Sequence, residues 1–560
     1  MPTLSPADLE RHSPADLGAL LSYLNLPPLG AYDDAAGPPK PGSDEAHEIR
    51  EPLRSRLLER RVRAGGEFTD PKDLLDVEGF GPGELSVLVA RLSDLSRYGH
   101  RLRPVWGGPE ARRELFAFLD SAERSIHIVT LIMGGEVGVE LARLLAKKVR
   151  QGVQVRVMFA ASGFVMSGSP STTGFVSPLS ELRSWLWHDR YVRKNVVGAI
   201  REGGVPFVDC NPIIRHWKRA SFRDQGIRTR DQYRRWALER GVREEWLAEQ
   251  DRLDNAYSGS IAHGDHRKMI VVDGCRAFIG SQNLADAYLY ENELSPDPKI
   301  NWKRWQWHDN SAILEGGCAR ELNRQFAKRW ALSGGDVFDP DSPEIAAPVE
   351  RKGNAVVTVH PSLPLGFEQP FWANFPRLVL SLLGGAPEPV TRGYSALRER
   401  IGSLPELARH SMHVEHCYPT DGELLRRWGR QAGRLSEFLM VVPLYYDTLL
   451  TGFESDRFYP MLQKMGINLQ GYRRAIVHSK IAVADRFYTA MGSYNLVLRS
   501  ARADLELEFF IQDREFGQAV VERIVKDTEL CRPVRPTLLD RIRARMSIPF
   551  FDAFMRYFLL

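Results

Sequence analysis

His266-Arg267-Lys268-Met269-Ile270-Val271-Val272-Asp273 and His478-Ser479-Lys480-Ile481-Ala482-Val483-Ala484-Asp485 share one form, HxKxxxxD. Seven residues after each aspartate comes GSxN, as Gly280-Ser281-Gln282-Asn283 and as Gly492-Ser493-Tyr494-Asn495, and the offset between the two copies is 212 residues throughout. Chance yields only roughly 0.02 copies of HxKxxxxD in a chain of this composition. Two copies with the same trailing motif therefore mark an internal repeat. Residues Met269 to Val272 and Ile481 to Val483 are strand-like, and strand positions i and i+2 project to one face, so His266 points with Lys268 and His478 with Lys480. Imidazole beside ammonium suits an anion. The GSxN turns add Ser281, Asn283, Ser493 and Asn495, whose hydroxyls, amides and backbone donors are candidate phosphate ligands alongside Lys268 and Lys480. Asp273 and Asp485 count with the motif's candidate catalytic residues, although their place at the far strand ends suits them to fixing turns.

Around both motifs the pattern alternates helix and strand. An amphipathic stretch (Ala111 to Ala122) precedes the apolar strand Ile126 to Leu131; a helix through Leu141 to Val149 then leads into the strand Val153 to Phe159. The rhythm returns as helix Gly422–Gly433, strand Phe438–Val442, helix Phe458–Met465 and strands near 480 and 488. This is the pattern of an α/β sandwich. Pro340 to Gly353, rich in Pro, Asp and Glu, divides the halves.

The chain has 560 residues, 43% hydrophobic and 26% charged, which excludes a disordered, collagen-like or disulfide-scaffold protein. It is large enough for more than one core. Its 75 basic and 71 acidic residues leave a net charge of only +4, so any attraction to phosphate is local. The five cysteines (Cys210, Cys275, Cys318, Cys417, Cys531) are never spaced as CxxC, which fits neither a disulfide framework nor a zinc site. Met1 to Arg11 carries Asp8, Glu10 and Arg11 without an apolar segment, unlike a Sec signal peptide, and no run reaches the ~20 apolar residues of a spanning helix. A cytoplasmic protein, peripheral at the inner membrane face, is the expectation.

With these motifs in hand, the chain resembles the phospholipase D superfamily, with two HKD motifs in one polypeptide over roughly residues 100–530. Trp307-His308-Asp309, Glu315-Gly316 and Phe326 to Trp330 are similar to the segment that follows the first motif in the cardiolipin synthase and phospholipase D branch. Arg499-Ser500 with Glu506 is similar to the segment following the second. The resemblance implies an α/β fold of two α/β/α halves about a pseudo-twofold axis, with one site between them. It implies a phosphodiesterase or phosphatidyltransferase acting on phospholipid through a covalent phosphohistidine, with no cofactor, no metal and a monomeric active unit. His266 is then the nucleophile, and His478, starting protonated, the general acid. Asp309 stands behind His478, and Glu506, taken in preference to Glu508 two residues on, stands behind His266.

The expected organisation is an arm and linker (1–60), a helical element (61–100), a first half (101–345) with a basic insertion (211–262), a second half (346–535) and an amphipathic tail (536–560). Residues 68–92, with Gly79, Gly81 and Gly83, resemble a helix-hairpin-helix, whose amides hold a DNA phosphate. With the arginines of Arg215 to Arg235, which read more simply as a solvated charged helix, they support the alternative of a metal-independent nuclease acting on DNA. The tail joins Arg541, Arg543 and Arg545 to Phe550, Phe551, Phe554 and Phe558, the composition of an interfacial membrane helix or of a docked C-terminal helix. Phe367 to Leu383 is a candidate acyl-chain entrance.

Overall fold

The computed structural model describes residues 3–25, 53–160, 192–211, 213, 215–256, 264–289, 307–362, 395–444, 449–502 and 504–535. The linker Pro27–Ser43, the aromatic stretch Phe367–Leu383 and the tail 536–560 lie outside them.

Fifteen strands join in one sheet among the described residues. At its centre Tyr98–Trp106 pairs antiparallel with Ala355–Pro361. Outward from the first of these run Asn310–Glu315, Arg276–Gly280, Met269–Val272, Ser125–Thr130, Gln154–Phe159 and Phe207–Asp209. Outward from the second run Leu507–Gln512, Tyr488–Gly492, Lys480–Ala484, Ser411–His416, Glu437–Pro443 and Asn468–Tyr472, with Cys531–Pro533 added at the edge. The two halves repeat each other strand for strand, each with antiparallel pairing next to the motif strand and parallel pairing beyond it. This is the expected two-half α/β architecture.

The strands read as apolar runs because both sheet faces are covered. On one face of the first half, Ile126, Ile128, Ile270 and Val272 meet Leu115, Leu119, Leu141 and Leu145 from the helices Gly108–Asp120 and Gly135–Arg150. In the second half Met412, Val414 and Met440 meet Leu425 and Trp428 of the helix Gly422–Ala432 and Tyr459 of Leu449–Lys464. The opposite face is one core spanning both halves, in which Val129, Val271, Val441 and Val483 pack with Phe326 and Trp330 of Cys318–Leu332 and with Phe516, Val520 and Ile524 of Arg514–Asp527.

Two expectations change. The first helix of the hairpin element is a single 3-10 turn, Pro71–Leu74, followed by the positive-φ Gly79 and the helix Pro82–Leu92. Its Leu85, Leu88, Val89 and Leu92 pack with Leu20 and Leu24 of the helix Pro14–Asn25, so that part of the expected arm belongs to the same core. The basic insertion is also a packed unit: Phe222, Tyr233, Ala237 and Leu247 close on Ala331 and Leu332. Arg230 and Arg234 bond Asp251, Arg234 also bonds Glu244, and Arg219 is buried on the Ser333 carbonyl.

Asp273 and Asp485 adopt left-handed φ values of 52° and 53° at the turns that end the motif strands. Asp273 accepts the amide N–H groups of Glu123, Arg124 and Ser125, and Asp485 those of Arg409, His410 and Ser411. They tie each turn to the start of the neighbouring strand and are corrected from catalytic to structural residues. Replacing a carboxylate that holds three amides costs about 2–4 kcal/mol. Asp485→Ala is therefore expected to lower the urea unfolding free energy by that amount while leaving the turnover of folded protein unchanged. Lost turnover at full stability would refute the structural role.

Candidate active site

Each motif histidine is held by the half it does not belong to. The backbone at Asp265 bridges in parallel to Leu505, and Ile476–Val477 pairs in parallel with Trp307–His308. The His266 N–H accordingly donates to the Leu505 carbonyl (2.9 Å), and the His478 N–H to the His308 carbonyl (2.8 Å). The next residue along each partner segment is the carboxylate. His266 Nδ1 lies 2.9 Å from Glu506 Oε2, and His478 Nδ1 lies 2.8 Å from Asp309 Oδ2. All four side chains are buried. With Nδ1–H given to a carboxylate, each ring keeps the Nε2 lone pair for chemistry. Glu508 instead accepts the Tyr494 N–H, which separates it from Glu506.

The serines act differently from the expectation. Ser281 donates its hydroxyl to Asp309, and Ser493 donates to Glu506 Oε2 at 2.5 Å. Ser500, which the reading of the second motif left without a role, adds a bond to Glu506 Oε1 at 2.5 Å. In this geometry the Ser281 and Ser493 hydroxyls, expected as phosphate ligands, are engaged by the carboxylates. The glycine before each serine has a steric reason: a Cβ at Gly280 would meet the Asn310 carbonyl at 2.7 Å, and one at Gly492 would strike the Leu507 carbonyl. Only glycine lets the strands close enough for the hydroxyl to reach.

Lys268 Nζ donates to the His266 carbonyl (2.6 Å) and Lys480 Nζ to the His478 carbonyl (2.7 Å), each folding back on its own motif. Lys480 Nζ also stands 3.3 Å from His478 Nε2. Burial pushes the Lys268 ammonium down to about 7, with Lys480 adding repulsion. Burial and then Lys268 hold His266 well below its ordinary value; burial and then Lys480 take His478 to about 3. These surroundings favour the neutral form of both imidazoles, where one was expected to be charged. Burial raises Glu506 to about 7. Asp309 is held below the usual carboxylate range, because His478, Lys480 and Ser281 outweigh its burial.

Asn283 and Asn495 each have the amide oxygen engaged, by the Thr130 hydroxyl at 3.5 Å and by the Cys417 thiol at 2.8 Å. Three further groups stand here, of which only Trp307 lay in a segment the sequence singled out. Tyr288 and Trp307 stand edge-on to the His478 ring at centroid distances of 5.1 and 4.8 Å. His416, paired in register with Lys480, is buried with Nε2 3.2 Å from the Tyr494 carbonyl. Among the described residues one cluster has metal-ligand chemistry, His308 with Glu415 and Asp527, whose ligand atoms lie within 4.8 Å of one another. The motif histidines are not part of it, and Arg523 already donates to Asp527 at 2.9 Å.

Residues 115–295 and 408–527, more than half of the chain, match the family described as "Cardiolipin synthase, PLD-like domain". A cardiolipin synthase of Geobacillus kaustophilus (strain HTA426) is 22% identical over 425 residues, covering 75% of this chain and 64% of its own length. A cardiolipin synthase A of Buchnera aphidicola subsp. Baizongia pistaciae (strain Bp) is 25% identical over 255 residues, 46% of either protein. The chain thus spans about half to two thirds of the length of these curated relatives. Among solved structures, phosphatidylserine synthase of Haemophilus influenzae Rd KW20 aligns over 84% of this chain and 98% of its own, with 12% identity and a TM-score of 0.49. Nuc of Salmonella typhimurium, a phospholipase D family member, aligns over 32% of this chain and 99% of its own, with 15% identity and a TM-score of 0.24.

The neutral state of His478 has a consequence for stability. Below the ordinary histidine value of 6.5 the unfolded chain takes up a proton that the native ring refuses until about pH 3, so this residue lowers native stability as pH falls through that window. Its share is up to about 1.4 kcal/mol per pH unit. Urea unfolding at about pH 7 and about pH 5 should show the wild type losing up to ~2 kcal/mol more than His478→Gln between them. Equal losses would mean that His478 is charged in the native protein.

Proposed function

Because the chain belongs to the "Cardiolipin synthase, PLD-like domain" family, we propose that it transfers the phosphatidyl group of a phospholipid, to water or to an alcohol, through a covalent phosphohistidine. One observation carries the reading: two imidazoles, each held through Nδ1 by a carboxylate from the opposite half, share a buried site with two ammonium groups. That is an anion site with two proton-transfer groups.

A phosphodiester supplies a negative charge beside the two lysines. Its anion offsets Lys268 and Lys480, which lets one imidazole accept a proton as the substrate enters. His266 Nε2 attacks phosphorus; the N–P bond forms, the P–O bond to the leaving alcohol breaks, and His478 gives that oxygen its Nε2 proton. Ionised Asp309 suits His478 to carrying the charge. In the second half-reaction His478 takes the proton of the acceptor hydroxyl, whose oxygen displaces His266 from phosphorus. The lysines and the NH2 groups of Asn283 and Asn495 stabilise the phosphoryl oxygens. Contact with a bilayer belongs to the same proposal; no helix among the described residues is long and apolar enough to cross one. The nuclease alternative loses support at the hairpin, where the Gly81 N–H that would take a phosphate already donates to Glu84 (3.1 Å).

The test incubates the full chain, in excess EDTA, with phospholipid vesicles plus a primary alcohol and separately with plasmid DNA. Formation of a phosphatidyl-alcohol is expected, since a covalent intermediate partitions between acceptors. DNA cleavage well above phospholipid turnover, or abolition by EDTA with rescue by a divalent ion, would overturn the reading. His266→Ala and His478→Ala should each remove nearly all turnover, by at least roughly 10²–10⁴-fold. More than about a tenth remaining in a folded variant would exclude a single two-histidine site. Ser281→Ala and Ser493→Ala should lower kcat about tenfold with KM unchanged, as supports of carboxylates do; a rise in KM alone would return them to phosphate binding.

A further inference from the structure

The two halves match in register, and the match fails beside one histidine. Val129 pairs with Met269 as Glu415 pairs with Ile481, so Glu415 occupies the place of Val129. Asp309 and Glu506 are likewise equivalent, since Ser311 faces Gly280 as Glu508 faces Gly492. His308 therefore occupies the place of Leu505. On the His266 side the two equivalent positions are apolar, Leu505 packing with Ile213 and Leu253, and Val129 lying in the shared core, while the ion pair there is Asp265 with Arg267. Behind His478 the same two positions are ionic.

His308 Nε2 lies 3.2 Å from Glu415 Oε2 and 3.1 Å from Asp527 Oδ2, and the ring stacks on Tyr472 at 4.4 Å. Arg523 Nε donates to Asp527 at 2.9 Å, while the Cys531 thiol stands near Glu415 and Asp527 from the edge strand. Burial opposes a charge on His308, but Glu415, Tyr472 and Asp527 outweigh it and hold its pKa well above the ordinary value. His308 Nε2 and Arg523 Nε thus both stand on the Asp527 carboxylate, with Glu415 on the other side of the His308 contact. The same residue's carbonyl accepts from the His478 N–H (2.8 Å) and the Ser479 hydroxyl (3.4 Å), and the next side chain is Asp309.

We propose that His308, clamped between Glu415 and Asp527, is a positioning residue that fixes the backbone carbonyl and the Asp309 carboxylate on which His478 is mounted. The ring's single Nε2–H is shared between two carboxylates, and the backbone it anchors makes the bonds that set His478. The counterpart segment at Glu506 is anchored differently, by reciprocal bonds to the Ser362 N–H and hydroxyl, both 2.9 Å. The kinetic consequence rests on the function proposed above; the structural one does not.

The test installs the other half's residues. H308L/E415V replaces the ionic pair by the equivalents of Leu505 and Val129 and leaves Asp527 on Arg523, so that no buried carboxylate is stranded. His308→Gln is the conservative variant. Histidine-selective 15N labelling of the full chain follows the Nδ1–H that His478 gives to Asp309, assigned by its loss in His478→Gln. In folded H308L/E415V this signal is expected to shift or broaden while that of His266 holds, with His308→Gln intermediate. With bis(4-nitrophenyl) phosphate as a soluble substrate, kcat should fall roughly 10–100-fold with KM within about twofold, and the pH–rate limb of His478 should move. An unchanged His478 signal in whichever of the two variants folds overturns the inference, as does a stoichiometric divalent ion that leaves with His308. If the wild type turns over no phosphodiester, the proposed function fails while the NMR comparison still decides the role of His308.

Discussion

The crossing of carboxylates between halves is the constraint on which the rest of the structure depends. Glu506 is 240 residues from the histidine it orients, and Asp309 is 169 residues from its own. Neither half alone presents an imidazole with its tautomer set, so the site exists only when Tyr98–Trp106 and Ala355–Pro361 bring the halves together in one register. A shift of one residue there would turn every inward side chain outward. This explains why so much of the molecule is a continuous buried sheet: Val129, Val271, Val441 and Val483 in the shared core hold the geometry that the site reads out. The insertion near residue 230 packs on Ala331 and Leu332, outside that register, whereas the N-terminal helices cover the Tyr98–Val356 pair at which the halves meet.

Burying two lysines and two histidines is electrostatically unfavourable, and the empty site responds by neutralising what it can. Lys268 falls to about 7, His478 to about 3, and Glu506 rises to about 7. Each displacement is driven first by burial, which disfavours the charged form of each group. A phosphodiester answers all three at once, giving the ammonium groups a counter-charge and an imidazole a reason to protonate. Fixed donors aimed at a phosphoryl group are worth more in such surroundings than in water.

The chemistry-bearing strands were legible because repetition at a constant 212-residue offset leaves few alternatives. The crossed carboxylates were reached only through resemblance, because their own offset is 197 and the intervening loops differ in length. The serines misled for a general reason: a hydroxyl beside a phosphate motif has two acceptors to choose from, and its partner is fixed by how closely the strands approach at Gly280 and Gly492. The arginines of the insertion read as a basic patch because Asp251 and Glu244, their partners, come 10 to 21 residues later on another helix. The partners of His308, which was quoted only as a neighbour of Asp309, were missed for the same reason on a longer scale: Glu415 and Asp527 lie 107 and 219 residues away on separate elements.

A pseudo-symmetric site also faces a problem of identity. Two equivalent histidines would compete for one role, yet the proposed chemistry needs one to bind phosphorus and the other to carry a proton. The histidines cannot differ in themselves, so the difference has to lie in what surrounds them. Glu506, with two serine donors and a raised pKa, gives His266 a partner only weakly charged near neutrality. Asp309, held below the usual carboxylate range, gives His478 a full counter-charge for an imidazolium. The rings of Tyr288 and Trp307 at the edges of His478 restrict its motion further. A proton carrier must return to the same position twice in each turnover, once to donate and once to accept, whereas the histidine bonded to phosphorus is held there by that bond. The tighter mounting therefore falls on the residue that has no covalent tether.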